Sequence, residues 1–147
     1  MSGELLGIAR RSKPREPMET PNEVLVTIEA GVEGECHGSV HDRQVTVVSA
    51  DAWRAACRDL GMEVPWTRRR ANLLLAGIDL QDTEGALISI GDVLLEITGE
   101  NPPCRVMDIQ QKGLREALRA DWRAGVSCRV LAAGKIEVGD AVRLRKS

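Results

Sequence analysis

A chain of 147 residues, 43% of them hydrophobic and 29% charged, has the length and balance of one globular unit able to bury a core. Three Trp with neither Phe nor Tyr supply few stacking platforms for single-stranded nucleic acid, and a formal net charge of -2 gives no overall positive field for polyanions or anionic lipid. No apolar run approaches the roughly 20 residues that a membrane span requires.

The opening "MSGELLGIARRSKPREP" has a short apolar patch ahead of its basic residues, the wrong order and length for a secretory signal, so a cytoplasmic chain is expected. The Pro- and charge-rich "RRSKPREPMETPN" reads as a loop. "EVLVTIEAG" places Val24, Val26 and Ile28 on one face of a strand and Leu25, Thr27 and Glu29 on the other, with Gly31 at its end. "RQVTVVS" predicts another strand. Ser49 then caps a helix carrying Trp53, Ala56, Cys57 and Leu60 at i, i+3, i+4 and i+7, stopped by Gly61. "ALISIGDVLLEITG" and "AAGKIEVGDAVRL" resemble each other, and both predict a hairpin, turning at Gly91 and at Gly139. Between them the pattern predicts a helix over much of residues 109–121, with Leu114, Ala117 and Leu118 on its buried side. The expected fold class is mainly β, a closed or nearly closed barrel with two or three peripheral helices, in a single domain over residues 1–147.

Cys36, Cys57, Cys104 and Cys128 lie far apart, without a C-x-x-C pair or zinc-knuckle spacing, and read as free thiols in a reducing compartment. Cys104 stands out within "ENPPCRVMDIQQKG". Pro102 and Pro103 fix the approach to it, at a junction from strand to helix where the helix N-terminus and Arg105 or Lys112 favour the thiolate. Such a thiolate attacks sulfur or binds a soft metal. The competing reading is a small buried hydrophobe plugging the barrel end. The chain has no Walker loop, no G-x-G-x-x-G, no H-E-x-x-H and no G-x-S-x-G, and its two histidines exclude a His-rich metal site.

The ordered set "GVEGECHG", "DRQVTVVS", "RRANLLLAGIDL", "IGDVLLEITGENPPCRVMD" and "WRAGVSCRVLAAGKIEVGDAVRL", from about Gly7 to Leu144, resembles the MOSC domain, the C-terminal unit of molybdenum cofactor sulfurases. The resemblance implies a MOSC-type β-barrel in a minimal, stand-alone form. It also implies a site around the single family cysteine, here Cys104, that binds molybdenum cofactor or carries sulfur. Two functions follow from it. In one, Cys104 is the molybdenum ligand of an oxidoreductase acting by oxygen-atom transfer, for example on N-hydroxylated compounds. In the other, a Cys104 persulfide serves a sulfur-carrier or cofactor-delivery module without turnover of its own. Pyridoxal phosphate is not expected, since the chain lacks the length of the domain that uses it. The partners implied are a small-molecule cofactor and substrate and an electron-donor or sulfur-donor protein, with no nucleic acid or membrane, and the oligomeric state is left open.

Against that resemblance, Glu35 and His37 become candidates at the barrel mouth, with a surface turn as the plain alternative; family members often carry Asp where Glu35 stands. Arg43 and Gln44 become contacts for the pterin or its phosphate, against a loop salt bridge. In "TRRRANLLLAGIDL" Asn72 is the position that transfers, to orient the cofactor or cap backbone, and Arg69 and Arg70 are the candidate cations of a run otherwise read as a solvated face. Cys128 stands where the family often has Gly and reads as a core strand residue, as Cys57 reads as helical core. Cys36 stays open as a neighbour of Cys104.

Overall fold

Ten strands and three α-helices make up the described residues, 1–146, of a computed structural model of the chain. Seven strands close a barrel, and their order around it is not their order in sequence. β1 (Ser2–Ile8) lies beside β10 (Ala141–Arg145), followed by β6 (Leu87–Ile90), β7 (Val93–Glu100), β8 (Val126–Ala132), β4 (Val45–Ser49) and β5 (Leu73–Ala76), which pairs back with β1. The β4–β5 pair alone is parallel, so its connection must cross back, and α1 (Ala50–Leu60) makes that crossover. A three-stranded sheet of β3 (Gly31–Val32), β2 (Glu23–Thr27) and β9 (Gly134–Glu137) joins the same apolar core, with Val24, Val26, Val32 and Ile136 turned inward.

α1 forms as its residues dictate. Ser49 Oγ accepts from Ala52 N, Gly61 terminates the helix in the left-handed region at φ 77°, and Trp53 and Ala56 are buried. They meet Met107, Leu114 and Leu118 in a second apolar cluster outside the barrel. Trp53 anchors it by donating its indole N–H to Val64 O at 2.7 Å.

Several expectations are corrected. The helix over 109–121 is broken into α2 (Val106–Gln110), α3 (Leu114–Ala117) and a 3-10 turn at Ala120–Trp122, because Gly113 takes φ 87° and interrupts the helical path; Leu114, Ala117 and Leu118 are buried nonetheless. "KIEVGDAVRL" is not a hairpin. It turns at Gly139, φ 102°, but β9 pairs with β2 while β10 pairs with β1 and β6, so its two strands part into different sheets. "LISIGDVLL" is the hairpin expected, Ile90 opposite Val93. Ile28 lies past the end of β2 and is exposed. β1 and β5, which the strand patterns do not predict, close the barrel.

Candidate functional site

One end of the barrel carries a pocket of about 320 Å³ walled by the loop after β3, the 3-10 turn at Trp66–Arg69, the start of β5 and the segment after β7. Cys104 stands in its wall and is exposed. β7 delivers it: Asn101 N donates to Gly125 O at 2.9 Å, two prolines follow, and Cys104 O then accepts from Met107 N at 2.9 Å in the turn that opens α2. That helix has five residues, and Arg105 is its N-cap.

Arg69 lines the same pocket as Cys104, and the two charges interact. Arg69 is 7% exposed. Its Nε donates to Ala124 O at 2.8 Å and its Nη2 to Asn101 O at 2.7 Å, while Nη1 approaches Met107 Sδ at 3.8 Å. Every partner is neutral, so a buried positive charge is held without a carboxylate. Burial lowers its pKa to about 10, and the charge of the Cys104 thiolate acts in the opposite direction.

Glu35 organises the opposite wall. Its Oε1 accepts from Arg11 N at 3.2 Å and Asn72 Nδ2 at 3.0 Å; its Oε2 accepts from His37 N at 3.1 Å and from the Cys36 thiol at 3.3 Å. Gly38 lets the loop fold this tightly, since a Cβ there would fall 1.6 Å from Ala30 O. Glu35, Cys36 and His37 present ligand atoms within 4.8 Å of one another. Both Glu35 oxygens already accept hydrogen bonds, and burial together with the Glu35 hydrogen bond raises the Cys36 pKa.

Asn72 is 3% exposed and fully engaged: Oδ1 accepts from Thr46 N at 3.0 Å and Thr46 Oγ1 at 3.3 Å, and Nδ2 donates to Ala9 O at 3.1 Å as well as to Glu35. It ties β1, β4 and β5 to the Glu35 loop. Arg70, at φ 63°, donates to Pro14 O at 3.3 Å and to Glu16 O, fastening the Pro-rich loop beside the pocket. Burial and the nearby Arg11 charge lower its pKa.

The pocket thus brings together Glu35, His37, Arg43, Arg69, Arg70, Asn72 and Cys104. It leaves out Gln44, which is buried and structural: Nε2 donates to Ile28 O at 2.5 Å, and Oε1 accepts from Val130 N at 2.9 Å. It also leaves out Cys36, turned to Glu35, and Cys128, fully buried in the barrel. Arg43 makes no salt bridge among the described residues. Arg11 is the residue that pattern reading missed. It lines the pocket from the end of the N-terminal strand, and its only sequence signal was membership of a basic stretch. Four arginines, Arg11, Arg43, Arg69 and Arg70, line the pocket with one carboxylate, Glu35, so its lining carries a net positive charge.

No curated protein sequence matches the chain. Among solved structures it is similar to the YuaD protein of Bacillus subtilis, at 20% identity and a TM-score of 0.86, over 100% of this chain and 97% of that one. It is also similar to YiiM of Escherichia coli, at 17% identity and a TM-score of 0.73, over 100% of this chain and 71% of the other. YiiM of Geobacillus stearothermophilus gives 18% and 0.68, over 97% and 73%. These likenesses show the fold. The family model for the MOSC domain matches residues 33–143, which include Glu35, Arg43, Arg69, Arg70 and Cys104, and the chain belongs to the MOSC domain family.

Proposed function

We propose that the chain binds molybdenum cofactor in the Cys104 pocket and acts as an oxidoreductase by oxygen-atom transfer, for example in reduction of N-hydroxylated compounds. The observation that carries this reading is an exposed thiol facing Arg69, a buried guanidinium with no carboxylate partner. That donor set fits the group: a thiolate is the soft ligand that completes a sulfur-rich coordination sphere, and fixed guanidiniums match phosphate and other oxyanions. When bound, the cofactor supplies the redox-active metal. Cys104 would ligate it, Arg11, Arg43 and Arg70 would hold its anionic groups, and Arg69 would balance the charge of the thiolate. Glu35 and Asn72, whose polar atoms are already paired, would position the loop that borders the ligand. Met107 and Val106 give the wall an apolar side that limits water.

A second reading is favoured by the surroundings of the thiol. Val106 in the pocket wall and Ile109 on the same helix are 40% and 76% exposed, a surface suited to a partner that delivers sulfur to Cys104. In that case the Cys104 thiolate attacks the outer sulfur of a donor persulfide, and the donor thiolate leaves. The test is molybdenum and pterin content of protein made in a host that synthesises the cofactor. Stoichiometric metal, lost in Cys104→Ser with an unchanged melting temperature, is the expected result. Protein that takes up no cofactor yet accumulates a persulfide on Cys104 would establish the carrier instead.

A further inference from the structure

The turn after β3 gathers three metal-binding atoms that the chemistry at Cys104 does not use. Cys36 Sγ lies 3.3 Å from Glu35 Oε2 and 3.8 Å from His37 Nδ1, and one ligand atom from each of the three residues lies within 4.8 Å of the others. Four-coordinate zinc, with Zn–S about 2.3 Å and Zn–N or Zn–O about 2.0–2.2 Å, separates its ligand atoms by about 3.3–3.6 Å. The two measured spacings span that range. Among the described residues no other three His, Cys, Asp or Glu side chains come together in this way.

The tripod is held in place by its surroundings. Glu35 Oε1 accepts from Asn72 Nδ2 and from Arg11 N, which fixes the carboxylate and leaves Oε2 beside Cys36. Glu35 N donates to Val32 O at 3.0 Å and Cys36 N to Arg11 O at 2.8 Å, so the backbone is tied to β3 and to the chain that leaves β1. A carboxylate oriented through its second oxygen by a buried amide has the kind of support that metal ligands ordinarily carry. Cys36 and His37 remain accessible, and Glu35 and His37 line the thiol pocket.

We propose that Glu35 Oε2, Cys36 Sγ and His37 Nδ1 bind a zinc ion, with its fourth position left to water or to an anion from the thiol pocket. One thiolate, one imidazole and one carboxylate form the mixed donor set that a borderline cation takes and that hard magnesium or calcium does not. The hydrogen that the Cys36 thiol gives to Glu35 Oε2 leaves as a proton, and the ion takes its place between sulfur and oxygen. Arg11 and Arg70, whose charges bear on these atoms, oppose a bare cation. The thiolate and the carboxylate together cancel the two charges of the ion, and the guanidiniums then favour an anion at the open position. This ion would sit in the pocket wall, distinct from any metal held by Cys104.

The test is titration of cobalt(II), a coloured stand-in for zinc, into the purified full chain, kept reduced and freed of metal by a chelator. It is run in Cys104→Ser as well as in the parent and needs no molybdenum cofactor, so its failure and the failure of the cofactor reading are separable. One equivalent is expected to give the visible bands of tetrahedral cobalt and a thiolate-to-cobalt charge-transfer band in both proteins. One equivalent of zinc should bleach them, and excess magnesium should not. Changes to groups behind a ligand cost about 10–100-fold in metal affinity, so loss of a ligand should cost about 100-fold or more. Cys36→Ser should therefore lose the charge-transfer band. His37→Gln should bind about 100-fold more weakly at an unchanged melting temperature, since its ring has no hydrogen-bond partner but Cys36 among the described residues; it decides alone if Cys36→Ser melts early. Cobalt that keeps its octahedral colour, a charge-transfer band that disappears in Cys104→Ser or persists in Cys36→Ser, or full affinity in His37→Gln would each overturn the proposal.

Discussion

Cys104 and Cys128 show how one side chain acquires opposite chemistry from its surroundings. Cys104 is exposed beside a buried cation, whereas Cys128 is fully buried among aliphatic side chains of the barrel. Burial pushes the Cys128 thiol far above its ordinary value, so the folded chain keeps that proton where the unfolded chain releases it. Stability from this source is complete below the unfolded thiol's pKa of about 8.5 and declines as the pH rises beyond it. Cys128→Val, close in volume and without an ionisable group, is therefore expected to lose less stability than the parent between pH 7 and pH 10. Urea unfolding at both values measures it, and equal losses in the two proteins would refute it. Arg69 is common to both, so its own titration cancels. That Cys104 and Cys128 differ is legible from the Pro-Pro approach to the first and from the second standing where the family often has Gly. The burial of Arg69 is not, because its acceptors, Asn101 O and Ala124 O, come from segments 32 and 55 residues away.

Elements whose determinants are local were read correctly, and elements whose partners are distant were not. α1 carries its cap, its apolar face and its stop within thirteen residues of sequence, and all three are in place. The segment after Cys104 offers Leu114, Ala117 and Leu118 at helical spacing, yet Gly113 at φ 87° divides it and swings α3 against α1. Nothing in the spacing marks that choice; it follows from packing on Leu60, whose Cδ1 would lie 3.0 Å from a Cβ at position 113. Gly113→Ala is thus strained in backbone and crowded in side chain, and it should cost about 1–3 kcal/mol in urea unfolding at pH 7. A neutral or stabilising result would mean that a continuous helix is equally accessible. The strands of "KIEVGDAVRL" err for a related reason: alternation assigns faces within a strand, but β9 finds Val24 and β10 finds Gly3 and Ile90, contacts set by the whole sheet.

At the scale of the molecule, the barrel depends on its first eight residues. β1 is the only element joined to both β10 and β5, with Gly3 opposite Val142, and Leu5 opposite Leu75. "SGELLGI" was hard to read as a strand because glycines replace side chains at two positions, and each absence is required by a distant neighbour. A Cβ at Gly3 would fall 1.9 Å from Ala76 O, and one at Gly7 2.8 Å from the Trp66 ring. The same strand leads into the site: Ala9 N donates to Asn72 O at 2.7 Å, and Arg11 N to Glu35. Deleting residues 1–8 would remove Leu5 and Ile8 from the core, open two strand edges and release the register that holds the Glu35 loop. Edges left unpaired and a core left uncovered do not sustain a cooperative fold in a chain of this size. The deletion variant is expected to lose its cooperative thermal transition and to let iodoacetamide reach Cys128 without denaturant, where the parent protein reacts first at Cys104. Circular dichroism melting and mass spectrometry of the alkylated cysteines read both effects. A deletion variant that melts cooperatively within a few degrees of the parent, with Cys128 still protected, would mean that β10 and β5 close the barrel on their own.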